Sequence, residues 1–458
     1  MTFVEKRDHN WIPVEGELRE QILIVLRKII IKYKDPEKLI SLITTLENSN
    51  VTEVEYKTGV SLGSGLTGIC LLLGQLDQLF PTEDWDVIGH EYLVLLNKHM
   101  QENGINDLSL YNGLAGILVG VRALSRNGTR YTQMLDTLAS LYEDMFAESV
   151  GSLKERWNSG DIQMGDYDTI SGLAGIARVV LMFLDRPKMR EIWSDIEELL
   201  HFFCGEKDIA DLAIPRWHIT ASNQFQKHET LQYPNGNFNL GLSHGISGPL
   251  SLMSISVLQG LRSDSVLKDI CRLSEWLSIW TIQNDVGTYW PGRVSFEEAQ
   301  SGKLTMENQK FNRDSWCYGV PGIARALWLA GTATNDEKWT ELALNSFLEI
   351  DKRITNLGGL ASATLCHGIA GLLQSVQRLY SETKDKRLES IRDKLIISIL
   401  NMFEPESIFG FYEINIINDK LEKINDSGFL NGNAGVALVL ASLISDESPE
   451  WDSVLMYC

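Results

Sequence analysis

The stretch TLCHGIAGLLQSV (residues 364–376) places a glycine-rich turn directly before an apolar run. Its Gly-x-x-Gly pattern occurs seven times in the 458-residue chain, and an apolar run of helix length follows each copy. The copies are GLTG (65–68), GLAG (113–116), GLAG (172–175), GISG (245–248), GVPG (319–322), GIAG (368–371) and GNAG (432–435). A pattern that returns in this way indicates a fold built from repeated units.

The apolar runs alternate with helical segments that carry charged faces, such as WDVIGHEYLVLLNKHMQE (85–102). Runs that are apolar nearly all round predict helices buried on every side, and the charged segments predict helices that cover them. Seven such pairs predict an all-α fold, namely an α/α toroid or seven-repeat double-layered helical barrel, formed by a single domain over residues 1–458. In each turn we expect the first glycine to take a positive φ and the second to let neighbouring segments approach closely.

The spacing between copies is longest, 73 and 74 residues, on either side of the fourth copy, which indicates inserted structure there. Residues 216–225 and 287–296 are rich in aromatic and β-branched residues, as strands are. We therefore predict small strand-rich insertions within residues 205–240 and 284–312.

Composition and charge exclude several classes of function. A net charge of −20 argues against a nucleic-acid partner and mildly favours a cationic one. The beginning of the sequence lacks the pattern of a secretory signal, and the run at residues 22–31 is too short and too charged to span a bilayer. We expect a cytoplasmic protein without a transmembrane segment, whose six cysteines are thiols or metal ligands.

Two short motifs suggest other activities. GSGLTG (63–68) matches the dinucleotide-binding pattern, which requires a preceding strand. GLSHG (241–245) matches the nucleophile elbow of hydrolases, which requires a buried strand that ends at Ser243. Neither context is evident in the sequence, and both motifs are better explained as copies of the repeated turn.

Alignment of the turns on their first glycine places several reactive residues in matching positions. Cys317 and Cys366 both lie two residues before it, His244 and His367 lie one before it, and Asp168 lies four before it. If all turns open at one end of a toroid, these side chains converge. Two thiolates and an imidazole suit zinc, and three protein ligands leave the fourth position open, as in catalytic sites.

A plainer interpretation remains for each of these residues. Isolated cysteines are often small buried core residues, as we expect for Cys204 and Cys271, and a single histidine is often only a satisfied polar group. Arg313 and Asp314 are adjacent in sequence, and the residues themselves favour a solvated ion pair. The shared register is what favours a site over these alternatives for Cys317, Cys366 and His367.

The motifs around these residues resemble those of the lanthionine synthetase C family, the lantibiotic cyclases. They are Trp-Cys-Tyr-Gly (316–319), Cys-His-Gly (366–368), Ser-His-Gly (243–245) and Tyr-Asp (167–168) before a glycine turn. The resemblance extends from about residue 60 to residue 445, and the first two motifs are highly specific. It implies a seven-repeat α/α barrel with one zinc ion per chain and, in some bacterial members, a small β insertion.

The resemblance also implies roles for individual residues. Cys317, Cys366 and His367 would be the zinc ligands, and His244 and Asp168 would be the pair that handles protons. Arg313 and Tyr318 would line the same pocket. Relatives that handle glutathione are expected to carry a second histidine where Tyr318 stands, so Tyr318 favours the bacterial peptide cyclases.

The implied reaction is the intramolecular Michael addition of cysteine thiols to dehydroalanine or dehydrobutyrine, which forms (methyl)lanthionine rings in a lantibiotic precursor of leader plus core. A separate dehydratase and an ABC transporter are the implied partners, and the transporter would make the protein peripheral to the membrane. Two alternatives stay open. One is a glutathione transferase that acts on dehydrated residues, and the other is a non-catalytic peptide-binding scaffold with a structural zinc.

Overall fold

The structure, a computed structural model, describes residues 11–45, 51–209, 211–417 and 420–458. Most of these residues are helical. The α-helices in the described residues are α1 (Gly16–Ile30), α2 (Pro36–Thr44), α3 (Val51–Thr58), α4 (Leu66–Leu79), α5 (Trp85–Asn103), α6 (Leu114–Ala123), α7 (Thr132–Asn158), α8 (Met164–Tyr167), α9 (Leu173–Val180), α10 (Pro187–Phe203), α11 (Glu229–Gln232), α12 (Ser247–Leu258), α13 (Asp264–Ile279), α14 (Phe296–Ser301), α15 (Val320–Thr334), α16 (Glu337–Leu348), α17 (Ile369–Thr383), α18 (Lys386–Asn401) and α19 (Asn433–Leu443).

A buried helix follows each of the seven glycine turns, as predicted. These helices are α4, α6, α9, α12, α15, α17 and α19. In α12, for example, every residue from Ser247 to Val257 is buried. A more polar helix packs against most of them, in the pairs α4–α5, α9–α10, α12–α13, α15–α16, α17–α18 and α19–α1. None of the helices in the described residues is long and apolar enough to cross a membrane.

The chain divides into two compact units. The first contains residues 140–353 and 453–458, and its buried helices are α9, α12 and α15. The second contains the described residues of 11–139 and 354–452, and its buried helices are α17, α19, α4 and α6. The predicted single domain over residues 1–458 stays a prediction.

Backbone hydrogen bonds join neighbouring turns within each unit. In the first unit, the amide of Thr169 donates to the carbonyl of Ser243, and the amide of Leu242 donates to the carbonyl of Cys317. In the second unit, Cys366 donates to Leu430, which in turn donates to Gly63. The amides of Leu62 and Gly63 continue the series to the carbonyl of Tyr111. The carbonyls in this series belong to the residues two positions before the first glycine, so the turns are held in one register.

The second glycine of the turn allows close packing, as predicted. A Cβ atom on Gly322 would lie 2.7 Å from Cβ of Leu242, and one on Gly68 would lie 2.6 Å from Cβ of Phe429. The side chain three residues before the first glycine of one turn therefore occupies the space that a side chain on the next turn would need.

The prediction that the first glycine of each turn takes a positive φ is wrong. Only Gly319 has a positive φ, 137°, whereas Gly113 and Gly368, for example, are extended, with φ near −125°. At Gly368 an added Cβ would lie 2.3 Å from the backbone nitrogen of Thr364. The turn folds back so tightly on itself that no side chain fits, whatever the value of φ.

Eight short strands occur in the described residues, paired as four antiparallel ribbons. The strands are β1 (Glu206–Ile209), β2 (Leu212–Pro215), β3 (Asn237–Asn239), β4 (Ile282–Asn284), β5 (Gly287–Tyr289), β6 (Arg293–Ser295), β7 (Glu413–Ile417) and β8 (Lys420–Ile424). The pairs are β1–β2, β3–β6, β4–β5 and β7–β8. Strand β3, inside the predicted segment 205–240, thus pairs with β6, inside the segment 284–312.

The strand predicted at residues 216–225 is not present. This segment contributes one bridge, between Ile219 and Asn237, and a short 3-10 helix at Ala221–Asn223. Trp217, His218 and Ile219 are all buried, so burial does not alternate here as it does along a half-exposed strand. The hairpin β7–β8 lies outside both predicted segments.

Buried polar contacts within each unit hold the end of the described chain. In the first unit, the guanidinium of Arg325 donates to the carbonyl of Tyr457. In the second unit, Arg378 and Asp452 form an ion pair at 2.5 Å, with side chains 4% and 0% exposed. Because removal of one partner leaves a buried charge unpaired, pairs of this kind are costly to break.

Candidate functional site

Cys317, Cys366 and His367 form a group that is able to bind a metal ion. Their ligand atoms all lie within 4.8 Å of one another. Both cysteines are buried, with 2% and 8% of their surface exposed, and His367 is partly exposed. Two soft sulfurs and one imidazole nitrogen are a donor set that zinc prefers, so the residues present fit this ion.

The turn backbone positions the two cysteines. The carbonyl of Cys317 accepts a hydrogen bond from the amide of Leu242, and the amide of Cys366 donates to the carbonyl of Leu430. Each cysteine is thus fixed to the neighbouring turn of its own unit. The hydroxyl of Ser315 lies 3.4 Å from Sγ of Cys317 and supplies a polar neighbour for the sulfur.

His244 and Asp168 form a hydrogen-bonded pair. Nδ1 of His244 lies 2.6 Å from a carboxylate oxygen of Asp168. The aspartate is buried, whereas the histidine side chain is 29% exposed. Because a carboxylate only accepts hydrogen bonds, Nδ1 carries the proton and Nε2 is left for other partners. The pair can therefore hold a proton at a defined atom.

Asp168 also completes its own turn. It follows directly on α8, and its second carboxylate oxygen accepts from the amides of Ser171 and Gly172 at 2.7 and 2.8 Å. Serine stands at the same position of three other turns, and the hydroxyls of Ser61, Ser109 and Ser315 each accept from the amide three residues further on. A hydroxyl is therefore sufficient for the turn, and the aspartate adds an oxygen that faces His244.

His244 is positioned by the strand that precedes its turn. Strand β3 ends at Asn239, and the amide of Leu240 then donates to the carbonyl of Gly292 beside β6. The side-chain oxygen of Asn239 accepts from the amide of Gly241, while its backbone carbonyl accepts from Ile246. Hydrogen bonds to Asn239 therefore fix the turn that carries His244.

Arg313 and Asp314 do not form the ion pair that their adjacency suggested. The carboxylate of Asp314 is fully buried and pairs with Arg353 at 2.8 Å. Burial raises the pKa of Asp314, while the neighbouring guanidinium of Arg353 opposes this. Nε of Arg313 is buried and has no hydrogen-bond partner among the described residues. Asp314 thus belongs to a buried ion pair with Arg353, whereas Arg313 keeps a buried Nε–H group for another partner.

Tyr318 has two polar neighbours that sequence reasoning missed. The side-chain amide of Asn239 donates to its hydroxyl at 2.9 Å. Burial raises the pKa of Tyr318, whereas this hydrogen bond and the charge of Arg293 act in the opposite direction. Both neighbours lie on the paired strands β3 and β6, which have no counterpart in the repeat, so no register signal pointed to them.

The two other motifs lack the contexts that their activities require. The hydroxyl of Ser243 is buried without a hydrogen-bond partner among the described residues, so no base activates it there. The segment 63–68 follows helix α3 and not a strand. Both belong to the repeated turn, as expected.

Cys70 and Cys204 are core residues, and Cys271 lies partly at the surface. Cys204 is fully buried, and burial raises the pKa of its thiol well above the usual value. Burial likewise raises the pKa of Cys70 to about 12. Cys271 is only partly buried, and its pKa is also raised by burial. The thiols of Cys70, Cys204 and Cys271 therefore stay protonated at neutral pH.

Comparison with known proteins shows the class to which this fold and site belong. The family model described as lanthionine synthetase C-like protein matches residues 56–456. The chain therefore belongs to the lanthionine synthetase C-like family, as its motifs indicated.

Two relatives illustrate the similarity. The nisin biosynthesis protein NisC of Lactococcus lactis subsp. lactis is 25% identical over 357 residues, which are 77% of this chain and 82% of that protein. The solved structure of nisin cyclase matches with a TM-score of 0.76 at 23% identity, over 92% of this chain and 96% of that one. Nisin cyclase is an α/α toroid, and the predicted all-α toroid class is thereby confirmed.

Proposed function

We propose that this protein is a zinc-dependent peptide cyclase that closes thioether rings in a dehydrated lanthipeptide precursor. The observation that carries the proposal is the grouping of Cys317, Cys366 and His367 within 4.8 Å in a chain of the lanthionine synthetase C-like family. The similarity to a nisin biosynthesis protein supports the same class of substrate.

The reaction joins a cysteine thiol to the alkene of dehydroalanine or dehydrobutyrine in the same peptide. A bond forms between the sulfur and the β-carbon, and the proton that the thiol loses is balanced by one that the α-carbon gains. Zinc held by the two cysteines and His367 would favour the thiolate form of the substrate cysteine at neutral pH. The other tasks fall to side chains of the chain itself.

His244 is the residue that we assign to proton transfer. Its Nδ1 is engaged by Asp168, so Nε2 is the atom that exchanges a proton with the α-carbon. The buried carboxylate stabilises the charged imidazole and holds the ring in one orientation. Asp168 in turn is held by two turn amides, so the pair is rigid before substrate arrives.

Arg313 and Tyr318 are assigned to the developing negative charge on the substrate carbonyl. The Nε–H of Arg313 is buried without a partner among the described residues, so it is a donor available to an enolate oxygen. The hydroxyl of Tyr318 accepts from Asn239, which leaves its own proton for donation. A separate dehydratase would supply the dehydrated residues, and an ABC transporter would export the product.

A synthetic peptide with one dehydroalanine and one cysteine tests this function. The wild-type protein is expected to remove the free thiol without a change in peptide mass, at a rate above the reaction without protein. Cys366→Ala should abolish this activity and Cys70→Ala should not, because Cys70 is a core thiol. A wild-type rate equal to the background would contradict the proposal.

The same assay separates the two alternatives. A glutathione transferase would add the mass of glutathione to a dehydroalanine peptide that lacks cysteine, and the proposed cyclase should not. A structural site closed by a fourth protein ligand would leave the absorption spectrum of the cobalt-substituted protein unchanged when a thiol is added. The proposal predicts a changed spectrum, because an open position accepts the thiol.

A further inference from the structure

Phe225 lies on the imidazole of His244. The two ring centroids are 6.0 Å apart and the ring planes differ by 27°, so the rings are stacked. Phe225 is nevertheless 72% exposed. One part of the phenyl ring therefore covers His244, and most of the remainder faces solvent beside it.

The backbone on both sides of Phe225 is anchored. The side-chain amide of Gln224 donates to the carbonyls of Ile219 and Thr220, and its oxygen accepts from the side chain of Asn237 at 2.7 Å. The amide of Gln226 donates to the carboxylate of Glu229. The exposed ring is thus not on a free loop.

These anchors connect to the rest of the first unit. Glu229 is buried and pairs with Arg293 on strand β6. On the other side, the side chain of Asn223 donates to Asp161 at 2.7 Å. The segment that carries Phe225 is therefore fixed at both ends, and it holds a large apolar group in water at a defined place.

An exposed aromatic ring beside a proton-transfer residue has the chemistry of a recognition surface. Exposed apolar residues scattered singly need no explanation, but this one is held against His244 by a polar network. Dehydrated residues and their aliphatic neighbours offer apolar surface, which an aromatic face binds well because it buries that surface at little cost in side-chain entropy.

We propose that Phe225 forms an apolar wall beside His244 and selects acceptor residues that are flanked by aliphatic side chains. The proposal rests on the cyclase function given above and adds a determinant of specificity to it. Phe225 does not exchange a proton. It contacts the part of the peptide next to the alkene and keeps one face of the His244 ring covered.

Two peptides that differ in one residue test the specificity. Each contains a cysteine and a dehydroalanine, and the residue before the dehydroalanine is leucine in one and serine in the other. For the wild type, we expect kcat/KM to favour the leucine peptide by roughly threefold to tenfold. Phe225→Ala should lose this preference mainly through KM, while Phe225→Leu should keep part of it.

Leu231→Ala is the matched control, because Leu231 is an exposed residue of the same insertion, 86% exposed. It should leave the preference unchanged. Equal preference in the wild type and Phe225→Ala, or the same loss in Leu231→Ala, would overturn the assignment to Phe225 while leaving the cyclase function intact. Absence of any ring formation by the wild type would overturn both.

Chemical modification gives a readout that does not depend on activity. Diethyl pyrocarbonate should modify His244 faster in Phe225→Ala than in the wild type or Phe225→Leu, because the imidazole loses its cover. His201, which is 61% exposed and pairs with Asp269, serves as the internal reference. An unchanged ratio of His244 to His201 modification would refute the contact on which the proposal depends.

Discussion

Replacement of Asp168 by serine separates the two tasks of this residue. Serine supplies the hydroxyl that closes the equivalent turns at Ser61, Ser109 and Ser315, so the turn amides keep an acceptor. The variant loses the carboxylate oxygen that lies 2.6 Å from Nδ1 of His244. The fold should therefore survive a change that removes the partner of the histidine.

The size of both effects follows from these contacts. Hydrogen bonds to charged groups contribute about 1.5–3 kcal/mol, so the free energy of unfolding should fall by about that amount. Positioned proton transfer contributes about 10²–10⁴-fold, and cyclisation should slow by a factor in this range. Asp168→Asn keeps the shape of the side chain and should slow the reaction to a similar extent, because the amide does not carry the charge that stabilises imidazolium.

Urea unfolding and the rate of thiol loss from the dehydroalanine peptide measure the two effects separately. The pair of exposed His201 and buried Asp269, joined at 2.8 Å, offers a matched control, and Asp269→Asn should leave the cyclisation rate unchanged. If Asp168→Ser and Asp168→Asn both cyclised the peptide at rates within about threefold of the wild-type rate, the role given to the pair of Asp168 and His244 would be refuted.

Two further predictions concern stability. Arg378→Met should lower the free energy of unfolding by about 3–5 kcal/mol, because it leaves the carboxylate of Asp452 buried without its cation. The double variant Arg378→Met with Asp452→Leu should recover much of this loss. A double variant that is no more stable than Arg378→Met would contradict the prediction. Burial, helped by the charge of Lys207, lowers the pKa of His218 from 6.5 to about 4. The unfolded chain therefore binds a proton near pH 6.5 that the folded protein does not accept until about pH 4, so stability falls as pH decreases through this window, by at most about 3 kcal/mol. Urea unfolding of the wild type and His218→Gln across that range should show a shallower decline for the variant, and parallel curves would argue against the shift.

The glycine turns made much of the architecture predictable. Because neighbouring turns within each unit are bonded through the carbonyl two positions before the first glycine, residues that share a register occupy equivalent places in their unit. The grouping of Cys317 with Cys366 and His367 follows this pattern, as does the pairing of Asp168 with His244. Glycine spacing therefore carried information about the site as well as about the helices.

Features outside the repeat were not predictable in the same way. Asn239 and Phe225 reach the neighbourhood of His244 through strand pairing and side-chain anchors that have no copy elsewhere in the chain. The partner of Asp314 lies 39 residues away, so adjacency in sequence pointed to the wrong arginine. In residues 216–225 the apolar side chains of Trp217 and Ile219 fill the core, which is a packing requirement that several backbone conformations satisfy.

The zinc content of the purified protein shows whether Cys317, Cys366 and His367 bind this metal. We expect one equivalent of zinc per chain in the wild type and in Cys70→Ala, and a loss of the metal in Cys366→Ala while circular dichroism shows that the fold is retained. A folded wild-type protein that closes rings without bound zinc, or Cys366→Ala that still holds a full equivalent, would contradict this expectation.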